Sequence, residues 1–219
     1  MTFMIDSPFE KAGVWRNPFG ELTIRERAEL AVVDVQPWLA FLFPHPEGQA
    51  RRAVQFIGDC GFGKTTHLLA LEFAVAGAER VYFPEVGRRP RIPREARLLL
   101  VDEAQRMGWL RRAQMLRRNG PIVLGTHVDL APVLIASGFE VQSVDVEQRK
   151  TPAEIAEILN RRIRSSMVDR PVDETLYIDE RVAESLADRF DSNLRGIESY
   201  LFDAFQGHIR KGLKWPPAI

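Results

Sequence analysis

From Ala53 onward the chain alternates short, continuous apolar runs with longer stretches of helical periodicity. The runs are Val54–Ile57, Val81–Phe83, Leu98–Val101, Ile122–Leu124 and Val141–Val146. Runs apolar at consecutive positions suit strands covered on both faces, and their alternation with helical segments predicts a parallel sheet flanked by helices. The segment from Lys64 to Ala76 is apolar almost all round, which predicts a buried helix closed by Gly77. After Val146 the strand pattern stops. Thr151-Pro152-Ala153-Glu154 has the form of a capping box with proline at the first helical position, and Ile155, Ile158, Leu159 and Ile163 follow at helical spacing. Two further helical patterns cover 180–190 and Leu194, Ile197, Leu201, Phe205 and His208.

The first fifty residues are read differently. Asn17-Pro18-Phe19-Gly20 is a loop, Thr23 and Glu26 frame a second capping box, Pro37 starts a short helix through Phe43, and 44–48 is a breaker cluster. The expected class is therefore α/β, a parallel sheet flanked by helices with a small three-helix C-terminal appendage. The expected segments are 1–50 (loop and helices), 51–147 (α/β core) and 148–219 (helical region and tail).

Composition narrows this picture in a few places. The chain has 219 residues, 45% of them hydrophobic, enough to bury a core without disulfides, and its single cysteine, Cys60, allows no internal disulfide. Thirty basic and thirty acidic side chains cancel, so a nucleic-acid or membrane partner must be met through local charge. The amino terminus lacks a signal-peptide pattern and the apolar stretches are too short to span a bilayer, so a cytoplasmic protein without a membrane partner is expected.

Chemistry concentrates in two places. Gly58-Asp59-Cys60-Gly61-Phe62-Gly63-Lys64-Thr65 fits G-x-x-x-x-G-K-[ST] between an apolar strand and a helix. Glycines let successive amides curl toward phosphate oxygens, and the next helix adds its positive end. Lys64 is expected at the β- and γ-phosphates and Thr65 on Mg²⁺, with Thr66 following in the same helix start. The second place is Leu98-Leu99-Leu100-Val101-Asp102-Glu103, where an apolar run delivers two carboxylates to a strand's carboxyl end. Asp102 is expected to help hold Mg²⁺, and Glu103 to orient or deprotonate the attacking water. ATP and Mg²⁺ are the ligands implied. Asp102 or Glu103 as a cap on a helix starting at Ala104 is the plainer alternative.

Taken in order, the P-loop, the Asp102-Glu103 pair, the polar strand end Gly125-Thr126-His127 and Asn193-Leu194-Arg195 opening a late helix resemble the AAA+ superfamily of P-loop ATPases. The broad likeness is to the helper ATPases of replication initiation and transposition. The resemblance implies an ATP-hydrolysing α/β domain followed by a helical lid, acting as a nucleotide-controlled switch or motor subunit. It implies sensor roles for Thr126 and, in the lid, Arg195, with His127 a rival to Thr126. It also places Asn17 and Phe19 near the adenine. Two departures stand out. No arginine lies between Leu130 and Phe139, where an arginine finger is expected, which leaves open whether a homo-oligomer shares the site. Only Gly87 to Arg97 separates the second and third strands, with Pro90 and Pro93 inside it, so the usual helix there is expected to shrink to a turn.

Other classes fit less well. Thr126-His127-Val128-Asp129 resembles the guanine-reading T-K-x-D pattern, but His127 stands in place of the lysine. Asp102-Glu103-Ala104-Gln105 resembles a helicase motif on a chain too short for two α/β domains. An ATP-binding signalling switch with little hydrolysis, acting on a protein partner, has the same fold and remains the main alternative.

Charge is segregated as well. Between Arg88 and Arg118 there are ten arginines, three carboxylates and no lysine. Arg88, Arg89, Arg91 and Arg94 crowd the short crossover and are expected to meet a nucleic-acid backbone, since the guanidinium fork suits phosphate. An acidic protein partner, or a solvated basic face, would account for the same residues.

Overall fold

The computed structural model describes residues 8–44, 50–87, 89–147, 150–168, 176–211 and 215. In chain order the elements are α1 (Pro8–Lys11), α2 (Ile24–Glu29), α3 (Gln36–Leu42), β1 (Arg51–Ile57), α4 (Lys64–Ala74), β2 (Ala78–Tyr82) and β3 (Leu98–Asp102). A 3-10 turn (Ala104–Arg106) leads to α5 (Trp109–Leu116), β4 (Ile122–Thr126), α6 (Ala131–Ala136) and β5 (Phe139–Asp145). Helices α7 (Pro152–Ser166), α8 (Glu180–Phe190) and α9 (Leu194–Lys211) complete the chain. Arg88 and the loop from His45 lie outside the described residues.

The chain divides into two compact units, Arg27–Gln148 and a second made of Met1–Glu26 with Arg149–Ile219. The first holds a five-stranded sheet, ordered β2-β3-β4-β1-β5, with every pairing parallel. All five expected strands are present. Strands β3 and β4 are buried at every position, as their unbroken apolar runs require. Successive side chains point to opposite faces, so Leu98 and Leu100 join α3 and α4 in one cluster, whereas Leu99 and Val101 join Met115 and Leu134 of α5 and α6 in another. The sheet is thus the middle of three layers.

Two local expectations are corrected. Helix α4 is not buried all round. It buries Leu68, Leu69 and Leu71 against the sheet and leaves Phe73 68% exposed, because a helix lying on one face of a sheet covers only one side of itself. The helix expected from Ala104 onward is broken at Met107-Gly108, and its second part begins only at Trp109. The crossover between β2 and β3 has no helix among its described residues, in keeping with its three prolines, Pro84, Pro90 and Pro93.

The second unit is helical. Its core joins Ile155, Leu159 and Ile163 of α7, Ala183 and Leu186 of α8, and Ile197, Leu201 and Phe205 of α9. Both capping boxes form. Thr23 and Glu26 exchange hydrogen bonds at the start of α2, and Thr151 and Glu154 do the same for α7. The amino-terminal segment closes this unit. Val14 bridges Met167, and the buried Arg162 guanidinium donates to the carbonyls of Pro18 (3.0 Å) and Gly20 while pairing with Glu198. Among the described residues, 8–26 share a compact unit with 150–211.

Candidate nucleotide site

Strand β1 lies between β4 and β5, and the loop that leaves its carboxyl end is the glycine-rich one. Crevices beyond the carboxyl ends of parallel strands are where open α/β sheets hold ligands. The loop is anchored on both sides: Gly58 N–H donates to Thr126 O (3.2 Å), and Asp59 N–H donates to the Glu147 carboxylate. Gly61 and Gly63 have φ of 97° and 98°, values that L side chains rarely adopt, so glycine is needed at both. At Gly58 the requirement is space, since a Cβ there would lie 2.8 Å from Val146 Cγ2.

Lys64 and Thr65 open α4. Lys64 is buried, and its Nζ donates to Gly58 O (2.6 Å) and Asp59 O (2.9 Å), spanning the loop from beneath. Thr65 Oγ1 donates to Asp102 Oδ2 (3.0 Å), which brings together the two residues expected on Mg²⁺. Asp102 is 2% exposed and its other oxygen, Oδ1, is buried without a hydrogen-bond partner. Burial pushes this carboxyl above the ordinary aspartate range, against the Thr65 hydrogen bond and the Arg80 guanidinium 3.8 Å away, which pull it down. Arg80 in turn is held by Glu72 (2.9 Å). A hydroxyl beside a buried, incompletely satisfied carboxylate is a donor set that fits a hard divalent cation such as Mg²⁺. Gly125 makes this closeness feasible, because a Cβ there would stand 3.2 Å from Asp102 Oδ1 and 3.1 Å from Leu68.

Glu103 sits at φ 58°, ψ 47°, left-handed backbone that a non-glycine residue occupies at a cost of about 1 kcal/mol or more. Its carboxylate accepts from Gln105 Nε2 (2.8 Å) and lies 3.3 Å from Arg106 Nη2 and 3.4 Å from His127 Nε2. The other ring nitrogen of His127 is 3.5 Å from Asp59 Oδ1, and Cys60 Sγ is 3.9 Å from Nε2, so His127 links the P-loop to Glu103. Thr126, by contrast, is fully buried and its hydroxyl is occupied in a local turn, donating to Val128 O (2.9 Å) and accepting from Val128 N–H (3.1 Å). At this strand end it is the imidazole that faces Glu103. Arg80 and Glu147 did not stand out in the sequence, because each acts through a partner distant along the chain.

Asn17 donates to Phe202 O (3.0 Å) and accepts from Phe19 N–H (3.0 Å), while the Phe19 ring packs on Phe205 and Trp215 in the helical core. Both side chains are thus engaged inside the helical unit. Arg195 is exposed in the first turn of α9. Asp129 of the guanine-like pattern accepts from Gln55 (2.5 Å) and from Ala131 N–H (2.8 Å); these bonds, the second above all, lower its pKa. Of the crossover arginines, Arg89 donates to Pro84 O (2.6 Å), whereas Arg91 and Arg94 are exposed. Among the described residues no helix is long and apolar enough to cross a membrane.

No family model matches the chain, and no curated protein does. Solved structures do. Two variants of RuvB from Thermotoga maritima superpose with a TM-score of 0.51 at 16% identity, over 88% and 85% of this chain. The chain spans 66% of those proteins' length. NtrX from Brucella abortus, in complex with ADP, matches at a TM-score of 0.46 and 12% identity over 83% of this chain and 53% of its own. With its parallel sheet, its glycine-rich loop leaving the inner strand β1 and its carboxylate pair ending β3, the chain has a P-loop α/β fold like that of RuvB from Thermotoga maritima.

Proposed function

We propose that this chain binds ATP with Mg²⁺ at 58–66 and hydrolyses it, serving as a nucleotide-controlled switch or motor subunit. The observation that carries this reading is the contact between Thr65 Oγ1 and Asp102 Oδ2, with Asp102 Oδ1 buried and unpartnered beside it. Amides of the loop and of the start of α4 (Gly61 to Thr66) take the phosphate oxygens, and Lys64 exchanges its loop carbonyls for the β- and γ-phosphates. Thr65 and Asp102 hold the metal, which when bound neutralises phosphate charge. Glu103 orients a water for attack on the γ-phosphorus and takes its proton as ADP leaves. His127 fills the polar position expected of Thr126, positioning Glu103 relative to the P-loop. Arg195 remains our proposal for a γ-phosphate contact from the lid.

A second reading is favoured by one specific feature. The Glu103 carboxylate is held by Gln105 and flanked by Arg106, which suits a protein that binds ATP and hydrolyses it slowly until a partner releases that glutamate.

Titration with labelled ATP and GTP, followed by turnover assays, tests both readings. ATP should bind in preference to GTP, and Lys64→Ala should abolish binding. Glu103→Gln should bind ATP normally while turnover falls by about a hundredfold or more. Preference for GTP, or unchanged binding without Lys64, would refute the nucleotide assignment. Equal, negligible turnover in wild type and Glu103→Gln would favour the switch.

A further inference from the structure

Trp109 is 82% exposed and Leu110 52%, at the start of a helix whose other end is held tightly. An exposed indole presents a broad apolar ring with a polar edge, a surface of the kind that a partner covers at an interface. Its surroundings indicate what that is. The crossover between β2 and β3 runs alongside this helix, tied to it at both ends. Arg106, just before α5, pairs with Glu85 (3.7 Å), and Arg118, just after it, donates to Pro93 O, Arg94 O and Ala96 O. Arg91 and Arg94 are therefore carried along α5, which itself bears Arg111 and Arg112, with Arg117 at its end.

Carboxylates do little to offset this charge. Asp102 is buried, Glu103 lies in the nucleotide site and Glu85 is paired with Arg106, which leaves Glu95 exposed. Arg106 and Arg118 are held by those groups, Arg89 donates to Pro84 O and Arg111 to the exposed Gln114, while Arg91, Arg94 and Arg117 are exposed. In a chain of zero net charge the remaining face is basic, arginine-only and headed by an indole ring.

We propose that α5 and the crossover beside it bind single-stranded nucleic acid, with a base stacked on Trp109 and phosphates taken by Arg91, Arg94, Arg111 and Arg117. The commitment to a single strand comes from the ring: an exposed aromatic face offers a stacking surface to unpaired bases, whereas the bases of a duplex are already stacked on one another, and arginine forks suit the adjoining phosphates. A duplex or an acidic peptide would use the charge and leave the indole in water.

Fluorescence anisotropy of a labelled oligothymidylate, measured without nucleotide so that hydrolysis plays no part, tests this. Binding should be detected at low salt. Trp109→Ala should weaken it about fivefold or more, and Trp109→Phe should retain most of it. Replacing Arg91 and Arg94 with glutamine should flatten the dependence of log affinity on log salt by about 0.7 per lost contact. Thermal unfolding of each variant separates loss of the surface from loss of the fold, since these side chains are exposed. No binding at low salt overturns the proposal, as does equal affinity in well-folded Trp109→Ala. Tighter binding of duplex DNA, or of polyglutamate, would assign the face to those partners instead.

Discussion

Asp102 illustrates how a single residue can be stable for one purpose and unstable for another. The fold places its carboxylate where water is excluded and gives only one oxygen a hydrogen-bond partner. Burial raises its pKa in the folded state, so folding disfavours its charged form relative to the unfolded chain. Stability from this group is therefore present below the ordinary carboxylate range and is lost as pH rises through the raised value. At neutral pH, without metal or nucleotide, Asp102→Asn should stabilise the protein by about 1–3 kcal/mol, the scale of an unsatisfied buried polar group. That corresponds to a rise in melting temperature of several degrees, readable by calorimetry. The same variant should lose Mg²⁺-dependent ATP binding. A lower melting temperature would show that Asp102 is a structural acceptor and that its orphan oxygen has another role. Glu103 follows the same logic through its backbone, since left-handed φ at a glutamate is strain kept at a site, and the sequence carries no sign of it.

Among the elements, the crossover from β2 to β3 is the clearest case of side chains standing in for missing secondary structure. Its prolines forbid a helix, so its backbone carbonyls need partners from outside. Arg118, 8% exposed, supplies them with three donated hydrogen bonds of 2.5 to 2.8 Å, and Arg51 does similar work beneath α5 by donating to the carbonyls of Leu116 and Arg118 and to Ser137 O. Arg118→Ala should therefore destabilise the protein by about 2–4 kcal/mol, by orphaning several acceptors at once. Urea unfolding would show this as a lowered midpoint, and an unchanged midpoint would mean that water replaces the guanidinium without loss. Seen as sequence, Arg118 is one of ten arginines in a basic stretch. Its burial separates it from Arg91 and Arg94, and burial is decided by which strand end it meets.

For the whole molecule the open issue is how nucleotide state passes from the α/β unit to the helical unit. A conformational response to ATP requires a contact that ADP lacks, and Arg195, exposed at the start of α9, is the residue we propose to make it. Arg195→Ala should lower affinity for ATP while sparing ADP, so that the ratio of their dissociation constants approaches one; isothermal titration of both nucleotides would show it. An unaltered ratio would leave Arg195 as a solvated surface residue. At this scale the sequence alone determined the strands, because unbroken apolar runs such as Leu98–Val101 satisfy only a sheet covered on both faces. It also marked Gly58 to Thr65 and the Asp102-Glu103 pair, because the phosphate and metal chemistry we propose needs those residue types at those spacings. Three things were decided by tertiary structure. Trp109 stands exposed because Met107-Gly108 breaks the helix that would have carried it. Asn17 and Phe19 meet the helical core because the segment that holds them packs against Phe202, Phe205 and Trp215. His127, and not the Thr126 hydroxyl, meets Glu103 because a buried threonine closes on its own backbone when no other partner is in reach. Periodicity and motif spacing are local properties of the chain, whereas exposure and hydrogen-bond partnership depend on segments that meet only after folding.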